Sequence, residues 1–309
     1  SHHGTSQHSY IYPDYDLEPD GVPVYAPVDS YLYQAMATLT YSNGVKDYGL
    51  RFMVSCEVTY LFGHVVNPEQ WIVDLVAAEA NEEGHGTWIA TPALKYVTPQ
   101  IDPVFVKAGS VLFHHLPNRP GTNQGFDFGV YNGTYTNEFL NPDRWRNADT
   151  FVHSVCPHVY FGEPVRSQVT ELYRDGTCYG VNREVVGTLA GMWHFADSAA
   201  PLPERHDFRY GGDLVFVEYF DGLVHVGGLY SFAVGGIGGP SPDEEFILRV
   251  SPDNGTYRLP QEVTKSHCYE GSNDADSAGE PGMFLNMFVY AEIIDENTIH
   301  VAFDDGTCP

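Results

Sequence analysis

The sequence predicts a mainly β protein of two domains, and three observations carry that reading. Its 309 residues exceed what one hydrophobic core organises, since domains average about 150 residues. Short apolar runs recur between Pro, Gly and Asn turns rather than at helical spacing. Aromatic residues make up 14% of the chain, with 21 Tyr and 18 Phe, side chains that suit a half-buried pleated surface.

The His-, Tyr- and Asp-rich stretch 1–20 reads as an extended N-terminal arm. Strands are expected at Val22–Ala26, Tyr31–Gln34, Leu50–Val54, Glu57–Leu61, Val104–Phe113 and Phe126–Tyr131. One helix interrupts them, with Asn67 as its cap, Pro68 in its first turn, Trp71, Ile72, Leu75 and Val76 as its apolar stripe, and Gly84 beyond its end. Residues 21–140 form the first β domain. Residues 141–187 form a polar connector with a short helix around Pro164–Tyr173, bracketed by Cys156 and Cys178. Residues 188–309 form a second antiparallel β-sandwich or barrel, with strands at Thr188–Phe195, Asp213–Phe220, Leu223–Val226, Leu229–Val234, Glu245–Val250, Thr256–Leu259, Phe284–Ile293 and Thr298–Phe303. Asp221-Gly222, between two alternating runs, is the strongest hairpin signal.

Against 41 Asp and Glu stand 15 Lys and Arg, a formal charge of −26. That sign repels phosphate backbones and anionic headgroups, so neither nucleic acid nor a membrane surface is an expected partner. No apolar run approaches the ~20 residues of a membrane span. The acidity suits a solvated extracellular surface. The start at Ser1, without Met, fits the processed mature end of a secreted protein.

The five cysteines include no Cys-x-x-Cys. Pairing Cys156 with Cys178 and Cys268 with Cys308 closes one loop inside each segment, with Cys56 left as a buried thiol in an apolar strand; other connectivities stay open. Asn132 and Asn254 each begin an Asn-Gly-Thr sequon in turn-like sequence, as exposed acceptor sites of a glycoprotein would. If Ser1 carries a free amine, His3 in third position permits a square-planar copper site. His114-His115 reads as a surface pair whose side chains face opposite ways. Asn273, Asp274 and Asp276 with Glu280 offer oxygen ligands without a calcium-loop pattern, and the Gly-rich run 234–239 leads into Pro240 rather than a helix, so it reads as a plain loop.

The run Gly21-Val-Pro-Val-Tyr-Ala-Pro-Val-Asp29 resembles the opening strand and turn of the lysostaphin-like zinc endopeptidases. Tyr48-Gly49, Phe62-Gly63-His64-Val65, Val106-Lys-Ala-Gly-Ser-Val-Leu112 and Phe126-Asp127-Phe128 resemble further elements of that family in the same order, over residues 5 to 135. The resemblance implies an antiparallel β domain with one inserted helix. It also implies a zinc site built from a His, an Asp four residues later and the second His of a closing His-x-His, with one position open to water. Here His8 stands at the first position, but Tyr12 replaces the Asp, Asp127 the closing His, and Gly125 a catalytic His. Only His64 stands at a catalytic position. The order of features, with Asp127–Tyr131, Cys156-Pro157 and Gly187–Trp193, also resembles uncharacterised secreted proteins built on this degenerate domain.

These readings lead to a noncatalytic secreted or cell-surface protein. Its role is either structural, self-assembling through β-edges with copies of itself, or binding, toward extracellular glycan or cell-wall material. No cofactor is expected. The alternative is a divergent zinc-dependent peptidase or hydrolase, with His8, Asp127 and His64 holding zinc and His64 serving catalysis.

Overall fold

The computed structural model describes residues 8–13, 21–40, 45–79, 102–116, 125–145, 149–172, 184–194, 213–218, 224–228, 246–271 and 287–308. It is mainly β and forms two compact units, one of residues 7–136 and 153–169, the other of residues 1–6, 137–152 and 170–309. Residues 141–187 are therefore divided between the units, and the predicted short helix within them forms at Val165–Leu172.

In the first unit, β1 (Ser9–Ile11), β3 (Ser30–Thr40), β4 (Lys46–Met53), β5 (Val58–Val65), β6 (Val104–Val106), β8 (Phe126–Asn132) and β9 (Ser154–Val155) build a seven-stranded antiparallel sheet. Its order is β1-β8-β5-β4-β3-β6, with β9 also on β8. A two-stranded antiparallel sheet of β2 (Val22–Tyr25) and β7 (Val111–His115) packs with helix α1 (Gln70–Glu79) on one sheet face. The core between them holds Leu32, Leu50, Phe52, Tyr60, Phe62, Phe128, Ile72 and Phe113, all buried. Phe62 stacks on Phe128 with ring centres 5.1 Å apart. Trp71, Leu75 and Val76 pack against this core, as the helical stripe predicts.

Several expectations are corrected here. The arm is not wholly detached, since residues 9–11 enter the sheet beside β8. The single strand expected at Val104–Phe113 is two, because Gly109 adopts φ +79° in a turn between them. Asn67 does not cap the helix: it sits at φ 56°, Pro68 bridges to Phe113, and the helix begins at Gln70. Cys56 is exposed in the turn between β4 and β5, not buried in a strand. His115 is fully buried against Phe126, not a surface residue, while His114 lies partly exposed 3.5 Å from Glu69.

Two of the sequence motifs meet in space. Ala26 N–H donates to Ser110 O, Gly109 N–H to Ala26 O, and Ala108 N–H to the Asp29 carboxylate. The Ala-Pro-x-Asp run and the Lys107–Ser110 turn thus brace each other.

The second unit contains a four-stranded sheet, β10 (Gly191–His194), β11 (Asp213–Glu218), β12 (Val224–Gly228) and β13 (Phe246–Val250). A three-stranded sheet follows, β14 (Ser266–Glu270), β15 (Met287–Asp295) and β16 (Thr298–Asp305). Both sheets contribute to one core, including Phe216, Val226, Leu248, Tyr269 and Val289. β11 and β12 pair as the predicted hairpin, closing on Glu218 and Val224, with Asp221-Gly222 outside the described residues. Thr256–Leu259 is not a strand. Asn254 turns the chain there, and the polar run of β14, which shows no alternation, pairs with β15 instead. Cys268 and Cys308 form a disulfide across a separation of 40 residues. Cys156 is also disulfide-bonded, and Cys178, its expected partner, lies outside the described residues, as do residues 229–234, 273–280 and Gly84. Among the described residues no helix is long and apolar enough to cross a membrane.

Candidate functional site

Strand alternation sorts the first unit's sheet into a core face and a polar face. On β8, Phe126, Phe128 and Val130 enter the core, so Asp127, Gly129 and Tyr131 point the other way. Register then carries the polar face across the sheet: Gly63 lies opposite Asp127, Leu61 opposite Gly129, and Arg51 opposite Leu61. His8, one residue before β1, comes alongside Gly129 on this face.

His64 reaches the same place by an irregularity. The β4–β5 register shifts between Tyr48 and Leu50, and His64 opposite this shift adopts φ 53°, an unusual conformation for a residue with a side chain. Its Nδ1 lies 2.7 Å from the Asp47 carboxylate, which is almost wholly buried. Its Nε2 is left facing Asp127 Oδ2 at 3.7 Å. His8 Nε2 approaches the same Oδ2 at 3.3 Å. The three residues singled out from the sequence, His8, Asp127 and His64, therefore converge, with Asp47 behind His64 as a fourth member that sequence reasoning missed. Asp47 stands next to the Tyr48-Gly49 element, but nothing in the local pattern marks it as the partner of a residue 17 positions on.

Two glycines make the space. A Cβ at Gly63 would lie 2.7 Å from Asp127 Oδ2, and one at Gly129 would lie 2.6 Å from the Tyr131 hydroxyl and 3.1 Å from His8 Cβ. The cluster's charge follows from its burial. Loss of water, reinforced by the nearby His64 charge, pushes the His8 pKa down to about 3, so its imidazole is neutral at pH 7. Burial raises the Asp127 carboxyl to about 6 against the opposing pull of His64. Burial also disfavours a charged His64, but the Asp47 hydrogen bond and the Asp127 and Asp47 charges outweigh it and hold its pKa above the usual value. Asp127 Oδ1 and the Tyr131 hydroxyl are buried with no hydrogen-bond partner among the described residues.

The donor set is that of a metal site in type, two imidazoles and a carboxylate with a second carboxylate behind one imidazole. Ligands about 2.0–2.1 Å from a tetrahedral zinc stand roughly 3.3 Å apart, which the His8–Asp127 separation meets and the His64–Asp127 separation exceeds. Among the described residues no three His, Cys, Asp or Glu side chains are arranged to hold a metal ion. With one separation met and the other exceeded, the residues as they stand do not fit a tetrahedral zinc; they form a buried His–carboxylate cluster whose hydrogen bond runs between His64 and Asp47. His3, the copper candidate, lies outside the described residues.

The position that the resemblance would give to a second catalytic histidine, Gly125, is crowded. Gly125 is buried, and a Cβ there would stand 2.8 Å from the Ile11 carbonyl and 3.0 Å from the Tyr12 ring. Tyr12 itself, in place of the expected Asp ligand, is 63% exposed.

The two sequons form the same turn. In each, the Asn Oδ1 accepts from the Thr N–H and hydroxyl two residues on, and the Asn carbonyl accepts from the Tyr N–H three residues on. Asn132 Nδ2 donates to the exposed Tyr160 hydroxyl, whereas Asn254 Nδ2 donates to the Glu270 carbonyl. Comparison with protein-family models, curated proteins and solved structures returns no match.

Proposed function

We propose that the chain is a secreted or cell-surface protein whose first unit is a divergent lysostaphin-like domain that binds cell-wall material on its polar face without cleaving it. The observation that supports this reading is the crowding at Gly125, where the resemblance would put a catalytic histidine: a Cβ there would meet the Ile11 carbonyl at 2.8 Å. The polar face nevertheless keeps a shaped centre. His64 is held in an unfavourable backbone conformation, fixed by a buried carboxylate, and its ring remains 32% exposed. Strain of that kind persists where a side chain must be aimed. The Cys268–Cys308 disulfide supports an oxidising location, and Asn132 is the better placed of the two glycan acceptors because its amide faces an exposed hydroxyl.

A zinc-dependent hydrolase is a second reading, favoured by the convergence of His8, Asp127 and His64. Elemental mass spectrometry of the purified protein and of Asp127→Ala, run beside sedimentation with peptidoglycan sacculi and assay of released peptides, separates the two. Co-sedimentation without stoichiometric zinc or released peptide supports the binding reading. Near-stoichiometric zinc that falls in the variant, with peptide release, supports the hydrolase and overturns it. Retention by neither sacculi nor zinc, with concentration-dependent assembly, turns the reading to self-association through sheet edges.

A further inference from the structure

The polar face carries a second feature, three strands from the histidine cluster. Phe105 on edge strand β6 and Tyr31 on β3 are direct cross-strand partners, with ring centres 5.5 Å apart and planes at 64°. Their neighbours in register, Leu32 with Val104 and Ser30 with Val106, face the core side or the sheet interior. The two rings do not: Tyr31 is 45% exposed and Phe105 55%. A single exposed ring needs no explanation, but a pair meeting edge to face at a sheet edge presents a flat floor and an upright wall to solvent. The row continues across the sheet through Met53 to Thr59 on β5, stopping short of the buried Tyr131 on β8, and the next row brings Gln34 and Arg51 beside it. At 4.7–4.9 Å per strand, Tyr31 and Thr59 stand roughly 10 Å apart, about the reach of a disaccharide.

We infer that Tyr31 and Phe105 form the stacking platform of a subsite for an uncharged glycan, whose hydroxyls are met by Gln34, Arg51 and Thr59. This rests on the cell-wall-binding reading above and names its ligand class. The weakly positive C–H face of a pyranose packs on the negative face of an aromatic ring, while equatorial hydroxyls reach the amide, guanidinium and hydroxyl groups beside it. Charge selects the class further. A chain of net charge −26 repels uronate or phosphate polymers, so the occupant is a neutral or N-acetylated sugar rather than an acidic one. Gln34 and Arg51 in the adjoining row, and Thr59 two strands along the row of Tyr31, also distinguish this patch from a purely apolar contact with a second copy.

The test is calorimetric titration of the full chain with an N-acetylglucosamine hexamer and, separately, with polygalacturonate, using wild type, Tyr31→Ala, Phe105→Ala and Tyr31→Phe. The hexamer should bind saturably, either alanine should weaken it by at least about fivefold, Tyr31→Phe should bind as wild type, and polygalacturonate should give no heat. Equal unfolding midpoints for the four proteins ensure that the rings, not the fold, are being read. Hexamer binding unchanged by both alanines, equal binding of polygalacturonate, or no hexamer binding at all overturns the inference. So does a shift of sedimentation coefficient in the alanine variants without change in sugar binding, which assigns the rings to self-association. Sedimentation with sacculi keeps the two readings apart: sacculi retained by wild type and by both alanines leaves the binding function standing while this subsite falls. Ring-dependent hexamer binding with no retention of sacculi does the reverse.

Discussion

The two faces of strand β8 were built from alternate residues of one short run, and they obey different rules. Toward the core, Phe126, Phe128 and Val130 join a closely packed aromatic cluster in which Phe62 meets Phe128, Phe126 and Phe113. Toward the polar face, Asp127 and Tyr131 are almost as buried, yet each keeps an oxygen without a hydrogen-bond partner among the described residues, and Gly63 and Gly129 lie against them where any Cβ would clash. The first face is what a sheet needs in order to fold; the second carries features that cost stability and so call for a purpose other than stability.

The contrast can be broken from the core side first. Phe128→Ala should lower the unfolding free energy by about 3–5 kcal/mol in urea titration, because a buried ring leaves a cavity that its neighbours fill only partly. Gly63→Ala should cost about 1–3 kcal/mol, since its methyl would lie 2.7 Å from Asp127 Oδ2. Pairing it with Asp127→Ala should recover most of that loss, and a strictly additive double variant would show that the contact is not the cause.

Acidity sharpens the comparison. The folded pKa of His8 is depressed to about 3, so its stabilising contribution is complete above its unfolded value of 6.5 and is lost as pH falls toward 3. The Asp127 pKa is raised to about 6 from 3.8, so its ionisation destabilises the fold as pH rises through that window, and protonation relieves the cost as pH falls. The two trends oppose each other between pH 6.5 and 4. In chelator-treated protein, Asp127→Asn should therefore lose stability more steeply than wild type over that interval, read from unfolding midpoints at successive pH values; parallel curves would show that Asp127 does not titrate there. Asp47→Asn should bring the His64 pKa down, because it removes the hydrogen bond and one of the charges that raise it, and the shift is measurable by proton NMR titration. The smallest effect belongs to the exposed pair: Tyr31→Ala should change stability by less than about 1 kcal/mol, since what it loses is one cross-strand contact in water.

Much of this was legible residue by residue. The alternation in Phe126–Tyr131 assigns both faces of β8 without a structure, and the His64, Asp127 and His8 trio came from the resemblance to the lysostaphin-like endopeptidases. What stayed hidden was short or irregular. β1 spans three residues with no alternation to mark it, β14 is a polar run that becomes a strand because β15 lies beside it, and Asn67 has a capping residue's identity but a left-handed backbone. His115 looked like a surface residue because its neighbour is one; its burial depends on Phe126, a residue of another strand.

The recurrent Asn-Gly-Thr-Tyr turn marks the boundary between the two kinds of information. The sequence alone determines its shape, because the Asn side chain bonds groups two residues away, and it closes identically at Asn132 and Asn254. Only the tertiary structure decides that one Asn amide meets an exposed tyrosine hydroxyl and the other a strand carbonyl. The same division holds at the His64 cluster. The sequence supplies two imidazoles, two carboxylates and the glycines that leave them space, because residue identity and strand parity are local. Whether those groups meet, how far they lose water, and hence which protons they keep, depends on a bulge and on strands distant in the chain. Such contacts are set by packing across the sheet, not by neighbours in sequence.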